Sequence, residues 1–338
     1  SDAKNLSFSG LNAMIGEGLV TGEGVIDWSP SLPKLTANIK ADNLDISWIL
    51  PDYPEGGWSD GDMQWPVFGR ADLDVELSGI NISLGEMPIE AIIARVKLLD
   101  GVMEAPQITG RLLGGEFEAA FLAEGGSLTP YFSIDMRLAD LDPAPLMAKL
   151  VGRNPLQSRL RGTLNLSGRG ASPRAMMASL NGAMQFDLGP GQLTFIDMAA
   201  FQQAMDAPDY DGRAEAVLAT LSDNMMSAFE RGVGLINVRQ GQAEEATMDL
   251  IFDPNRSSRD GRFEGRFDFV SGNVLADFTL YPTPADKKLV WQLSGTLAEP
   301  KIDLDASAFD AAPNDAAPEA GEIEATNEAI SAPASNSK

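Results

Sequence analysis

The chain contains no cysteine and no histidine. The first absence excludes disulfides, thiolate nucleophiles and thiolate-bound metals. The second excludes a Ser-His-Asp triad, a Cys-His pair and a His-ligated zinc, leaving any acid-base chemistry to carboxylates, Lys, Ser or Tyr. No catalysis, metal or cofactor is expected. Positive charge is scarce: 25 Lys and Arg stand against 49 Asp and Glu, a formal net charge of -24. A field of that sign repels phosphate backbones and anionic membrane surfaces, so nucleic acid is not expected as a partner. Long hydrophobic runs are missing as well. No stretch of about 18 apolar residues is available to cross a bilayer, and the opening SDAKNLSFSG is not a basic-then-apolar leader. A targeting or anchoring segment is therefore expected outside this chain.

What the sequence has in abundance is alternation. In LRGTLNLSGRG, Leu160, Gly162, Leu164, Leu166 and Gly168 fall on one side of an extended chain, while Arg161, Thr163, Asn165 and Ser167 fall on the other. The same pattern recurs in VTGEGVIDW, LTANIKA, ADLDVEL, GEFEAAF, LTPYFSIDMRL and GAMQFDL, and again around Phe263 to Phe269, Val274 to Leu280 and Leu289 to Leu297. Short gaps rich in Gly, Asp, Asn and Pro separate these segments, which suits antiparallel meanders rather than βαβ crossovers. The expected class is mainly β, with a few short amphipathic helices as caps. Asp142-Pro143 and Ser172-Pro173 each open a helix, ended by Gly152 and by Asn181-Gly182. A longer helix is expected from about Arg213 to Arg231, with Leu218, Leu221, Met225 and Phe229 at helical spacing, and FIDMAAFQQAM could form another. Residues 305–338, dominated by Ala, Pro, Ser and acids, read as a disordered tail.

An internal repeat is visible. SLPKLTANIKADNLDISWIL aligns with SLTPYFSIDMRLADLDPAPLM, setting Pro33 on Pro130, Ile39 on Met136, Leu44 on Leu141 and Asp45 on Asp142. Each unit is a Pro-led strand, then Leu-Asp, then a short apolar helix.

Strands with three or four large apolar residues on one side each gain roughly 5 to 10 kcal/mol by leaving water. A sheet of ten or so such strands exposes far more apolar surface than a soluble protein leaves bare, so a second sheet, the helices or a ligand must cover it. The residues alone leave a closed sandwich and an open groove both standing. Several smaller motifs have plain structural readings. Asp60 and Asp62, and Asp206, Asp209 and Asp211, lack the spacing of an EF-hand loop and suit turns and caps, and a carboxylate hydrolase using Asp60 and Asp62 has no visible pocket. Gly168-Arg-Gly170 begins like a dinucleotide fingerprint, but Pro173 takes the third glycine's place and a turn into a helix accounts for it. Gly56-Gly57 and Gly114-Gly115 read as loop or hairpin positions.

The succession from LSGINISLGEMPIEAIIARVKLLDGVMEAPQITGRLLGGEFEAAF through LRGTLNLSGRGASPRAMMASLNGAMQFDLGPGQ and FERGVGLINVRQGQAEEATMDLIFD to LSGTLAEPKIDLD resembles the C-terminal region of the AsmA family of Gram-negative bacteria, over about Leu11 to Leu304. The G-x-L-x-L-x-G-x-G-x-S-P segment from Gly162 to Pro173 and the closing G-T-L-x-x-P from Gly295 to Pro300 carry the likeness. The resemblance implies a non-enzymatic, periplasmic, inner-membrane-anchored protein. Its long antiparallel sheet would curve into an open groove that carries phospholipid towards the outer membrane. On that reading residues 1–152 form one groove unit and 153–304 a second with capping helices. The expected lipid-facing wall comprises Leu73, Val75, Phe117, Phe132, Ile134, Leu164, Leu166, Phe186, Phe267, Phe278 and Trp291, and methionines such as Met136, Met184 and Met225 suit a wall that adapts to variable acyl chains. The expected partners are phospholipid and envelope proteins. The competing reading is an assembly module that recruits another β protein by strand addition at a sheet edge.

Overall fold

A computed structural model describes residues 4–46, 58–62, 66–84, 87–125, 128–151, 156–206, 213–221, 225–252, 260–281, 288–296 and 300–305. Gly56-Gly57, Asp209, Asp211 and the acidic tail lie outside the described residues, except that Asp305, expected in the tail, closes a strand. The strands are β1 (Asn5–Ile15), β2 (Gly18–Asp27), β3 (Lys34–Asp42), β4 (Asp72–Leu84), β5 (Met87–Leu99), β6 (Val102–Leu112), β7 (Gly115–Glu124), β8 (Tyr131–Leu141), β9 (Leu156–Gln157) and β10 (Leu160–Arg169). They continue as β11 (Asn181–Leu188), β12 (Gly191–Leu193), β13 (Ser227–Phe229), β14 (Arg231–Arg239), β15 (Gln242–Ile251), β16 (Gly261–Asp268), β17 (Asn273–Leu280), β18 (Leu289–Thr296) and β19 (Pro300–Asp305).

Sixteen of these strands form one sheet in almost strict chain order, from β1 at one edge to β19 at the other, with no pairing between the edges. The fold is therefore mainly β, as the alternating pattern implies, and open, as the resemblance implies. Every pairing in the sheet is antiparallel except β3 with β4, which run parallel. Short β9, β12 and β13 form a separate three-stranded sheet.

Helices punctuate the meander. Helix α1 (Ala144–Val151) starts where the Asp142 carboxylate accepts from the Ala144 N–H at 2.9 Å. Helix α2 (Pro173–Ala178) has Ser172 as its N-cap, the hydroxyl accepting from Ala175 N at 3.1 Å. A Cβ on Gly170 would lie 2.4 Å from the Met176 nitrogen, so the GRG turn is glycine-rich because the helix folds back on it. Helix α3 (Met198–Asp206) forms as expected. The long helix expected from Arg213 to Arg231 does not. Helix α4 spans only Arg213–Leu218, and tighter bonds from Thr220 N to Val217 O and from Leu221 N to Leu218 O close it. Met225 then sits in a connection and Phe229 in β13, where it pairs with Gly191 and is 1% exposed. Leu221 and Phe229 keep an apolar spacing compatible with a helix, but the partner they find is an extended one.

The repeat is larger in three dimensions than its sequence signature. β1 and β6 begin at residues 5 and 102, β2 and β7 at 18 and 115, an offset of 97 positions in each case. β1 departs from regular register between Phe8 and Leu11, and β6 does so between Ala105 and Ile108, at the same offset. Left-handed backbone recurs at Gly16 and Leu113 in the hairpin turns, and at Asn43 and Asp140 after the third strands. β3 and β8, each led by a proline, complete two equivalent three-stranded units. Beyond them the units differ: β3 is followed by a parallel neighbour, β8 by the antiparallel β10. The short helix expected after Asp45 falls outside the described residues.

The core sits at the ends of the strands rather than in a central layer. Leu188, Leu250, Leu280 and Leu289, at one end of β11, β15, β17 and β18, are at most 2% exposed. They pack with Leu193, Ile196, Phe201, Met205, Val217 and Phe229 from the small sheet, α3, α4 and their connections. These elements form a cap over that end of the inner face. Replacing the fully buried Phe201 with Ala is expected to cost about 3–5 kcal/mol, read as a lower urea midpoint. Hydrogen exchange should accelerate in β11 and β15 while β1–β3 are unchanged, because among the described residues none of β1–β3 belongs to or packs against that cluster.

Candidate functional site

Strand register aligns one residue from each of the sixteen strands into a row. Starting at the β1 edge, the row runs Leu11, Gly22, Ile39, Leu77, Ala94, Ile108, Ala119, Met136. It continues through Leu164, Met184, Ile236, Ala246, Gly265, Ala276, Leu293 and Ile302. Every member is apolar or glycine. The neighbouring row on the same face is equally free of polar side chains, passing from Ala13 and Val20 through Ile92, Gly110, Phe117, Leu138, Gly162, Phe186, Gly234 and Met248 to Phe278 and Trp291. The parallel step from β3 to β4 keeps the phase, since Ile39 lies against Leu77 and Ala41 against Gly79.

Glycines in these rows make room for aromatic rings from the adjacent strand. A Cβ on Gly234 would lie 2.1 Å from the Phe186 ring, and one on Gly110 2.6 Å from that of Phe117. The rings lie down across the neighbouring strand, so the surface is smooth as well as apolar.

All eleven residues expected in the wall lie on this face. Leu164 belongs to the first row and Phe117, Phe186, Phe278 and Trp291 to the second. Val75, Ile134, Leu166 and Phe267 lie in the row on the opposite side of the first, and Leu73 and Phe132 in the one beyond that. Their surroundings differ. Phe278 and Trp291 stack edge-on against Phe195 at 5.9 and 5.4 Å, and with Phe186 they pack against the cap at one strand end. Leu73 and Phe132 pack with Phe68, Leu98 and Ala123 at the other end. Leu166, Phe267 and Phe132 meet Leu180 and Val238 beside α2. Leu164 and Ile134 are half-buried and belong to none of these clusters. The expected wall left out Ile39 and Leu77, although alternation puts them on the apolar side of their strands, and it left out Ile108 and Ile236, whose place in the row follows from register.

The connection from β3 to β4 adds a strap. Trp58 Nε1 donates to the Phe269 carbonyl at 2.6 Å, the Arg174 N–H donates to the Ser59 carbonyl at 3.1 Å, and the Arg174 guanidinium meets Asp60 at 3.5 Å. Asp60 thus serves a tie between the crossover, α2 and the β16–β17 turn. With the cap at one strand end and Phe68, α2 and this strap at the other, the inner face is a trough that runs across the strands.

The outer face carries the charge. Asp74 pairs with Arg95 at 3.0 Å, Asp140 with Arg161 at 2.8 Å and Asp249 with Arg262 at 3.1 Å. The hydrogen bond from Arg95 holds the Asp74 carboxyl below its ordinary value of 3.8, against a smaller opposing effect of burial. A carboxylate depressed in the folded state stabilises it at neutral pH and ceases to do so as pH falls through the lowered value. The thermal stability advantage of the wild type over Asp74→Asn should therefore be full above pH 5, shrink below 3.8 and vanish in stronger acid. Melting curves across that range check it.

A family model of the AsmA family matches residues 36–246. The chain belongs to the AsmA family. Membership points to an envelope or lipid-transport-related role, in a family that is in general non-enzymatic. The matched span lies within the Leu11 to Leu304 of the sequence resemblance and takes in the cap, both chain stretches flanking it and most of the sixteen-stranded sheet. No curated protein and no solved structure matches this AsmA-family chain.

Proposed function

We propose that this AsmA-family chain binds phospholipid acyl chains along its trough and conducts them across the sheet, without catalysing a reaction. The observation that carries the reading is the unbroken apolar row of sixteen residues, one per strand, whose large members from Ile39 to Leu293 stay half-buried between the capped strand ends. Each acyl CH₂ that leaves water on such a surface contributes about 0.8 kcal/mol. Because that attraction has no preferred direction and neighbouring strands offer equivalent sites, a lipid slides from strand to strand over small barriers. Headgroups stay in water at the trough mouth.

The same reading places the protein in the periplasm, moving lipid towards the outer membrane and held at the inner membrane through a further segment. No helix among the described residues is long and apolar enough to cross a bilayer. Envelope proteins are the partners that would deliver and receive lipid.

Alternation supplies the test. A photo-crosslinking side chain at Leu164 or Met184 is expected to capture phospholipid in cells, and one at Thr163 or Gln185, on the other face of the same strands, is not. Leu164→Asp together with Ile236→Asp should lower co-purified phospholipid, measured by mass spectrometry of organic extracts, at least ten-fold. Equal crosslinking from both faces, or no phospholipid in extracts of the wild type, refutes the proposal.

A further inference from the structure

Two methionines flank one leucine in the middle of the floor. Met136 on β8 and Met184 on β11 both lie opposite Leu164 of β10, in the first of the apolar rows. Seven members of that row precede Met136 and six follow Met184, so anything that travels the row passes both sulfurs. Both side chains are half-buried. Met184 and Leu164 belong to none of the packed clusters, and Met136 only borders the one formed by Ile82, Ile89, Phe117 and Ala119. Several other methionines are placed differently. Met176 and Met205 are 2% and 8% exposed, and Met248 in the neighbouring row packs against the cap. Met14 points to the other face from Ala13, and Met226 lies in the connection before β13.

A thioether is the readiest target for an oxidant here, since the chain has no cysteine to react first. We infer that Met136 and Met184 form a paired modification site, at which a hypohalous acid such as hypochlorous acid makes sulfoxides and thereby shuts the trough to apolar occupants. The inference rests on the reading of the trough proposed above. In the reaction the sulfur lone pair attacks chlorine and the Cl–O bond breaks; water then adds at sulfur and chloride leaves. Overall the thioether gains the oxygen, sulfur is oxidised by one electron pair, chlorine is reduced to chloride and one proton is released. The product carries an S=O acceptor where an apolar sulfur stood. Neither apolar row has a polar side chain to donate to it, and strand pairing engages the backbone of β8, β10 and β11 on both sides. An acyl chain laid over that oxygen would bury it unpaired, so the sulfoxide stays in water and the occupant is displaced. Enzymatic reduction returns the thioether, which makes the closure reversible.

The intact chain treated with graded hypochlorous acid is read in two ways. Peptide mass spectrometry gives the sulfoxide formed at each methionine, and the fluorescence of Nile red, a neutral apolar dye, gives uptake by the trough. Met136 and Met184 should oxidise roughly ten-fold faster than the shielded Met205. Dye uptake should fall roughly ten-fold in step with those two sites, and methionine sulfoxide reductases of both epimer specificities should restore it. Each variant is compared with its own untreated state. The loss should persist in Met14→Leu with Met226→Leu and disappear in Met136→Leu with Met184→Leu. Oxidation of the pair no faster than of Met205, undiminished uptake once both sulfoxides have formed, or an equal loss in the Met136→Leu, Met184→Leu variant overturns the inference. An untreated chain that takes up no dye overturns it together with the lipid reading. Absence of phospholipid from extracts of a chain that does take up dye refutes the lipid reading alone.

Discussion

The structure depends on the cost of leaving one face of a sixteen-stranded sheet in contact with water. Backbone hydrogen bonds between consecutive strands assemble the sheet easily, since almost all pairings are between chain neighbours. They do nothing for the apolar side chains that alternation places on one side. A sandwich would cover such a face with a second sheet of similar size. Here the covering elements are a three-stranded sheet, short helices and a strap, and all of them gather at the strand ends. Small members of the middle rows such as Ala94, Ala119, Ala246 and Ala276 are buried while large ones such as Leu164, Met184 and Ile236 stay half-buried, and that division between sealed margins and a partly open floor gives the face the shape of a trough.

The chemistry of the floor follows from the same constraint. Where glycine stands in a row the aromatic ring of the adjacent strand lies across it, as Phe117 does at Gly110 and Phe186 at Gly234. Charged residues are confined to the other face, where they pair across strands at exposed positions worth little to stability individually. Nothing on the floor fixes a ligand by hydrogen bonds. On the proposed reading, selectivity for a particular headgroup comes from the rim or from partners, not from the rows.

Much of this was legible in the sequence. Strand identity and facing were readable because alternation over eight to thirteen residues has one extended solution, and all eleven expected wall residues fall on one face. The Pro-led helices α1 and α2 were readable because capping is local chemistry. The stretch after Arg213 was misread because Leu218, Leu221, Met225 and Phe229 satisfy a helical period, whereas Phe229 is claimed by Gly191 some forty residues away. Register was not legible at all. That Ile39 lies beside Leu77 is decided by a pairing across an intervening connection, and no local signal encodes it. For the same reason the single-residue rows emerge only in three dimensions.

The lone parallel step between β3 and β4 has a kinetic corollary. Most other strands meet their neighbours through a short reversal of the chain, the exceptions being β8 to β10, β10 to β11 and β11 to β14, so pairing proceeds largely by fast local closures and propagates outwards from several starting points. At that one joint the chain must travel the length of a strand and return before Lys34 can meet Asp72. Docking of the first three strands onto the rest, like closure of β14 onto β11 across the cap, is therefore one of the more entropically demanding events in assembly. The amino-terminal unit is the part of the molecule best placed to arrive late and, while it is awaited, to leave β4 as a temporary edge.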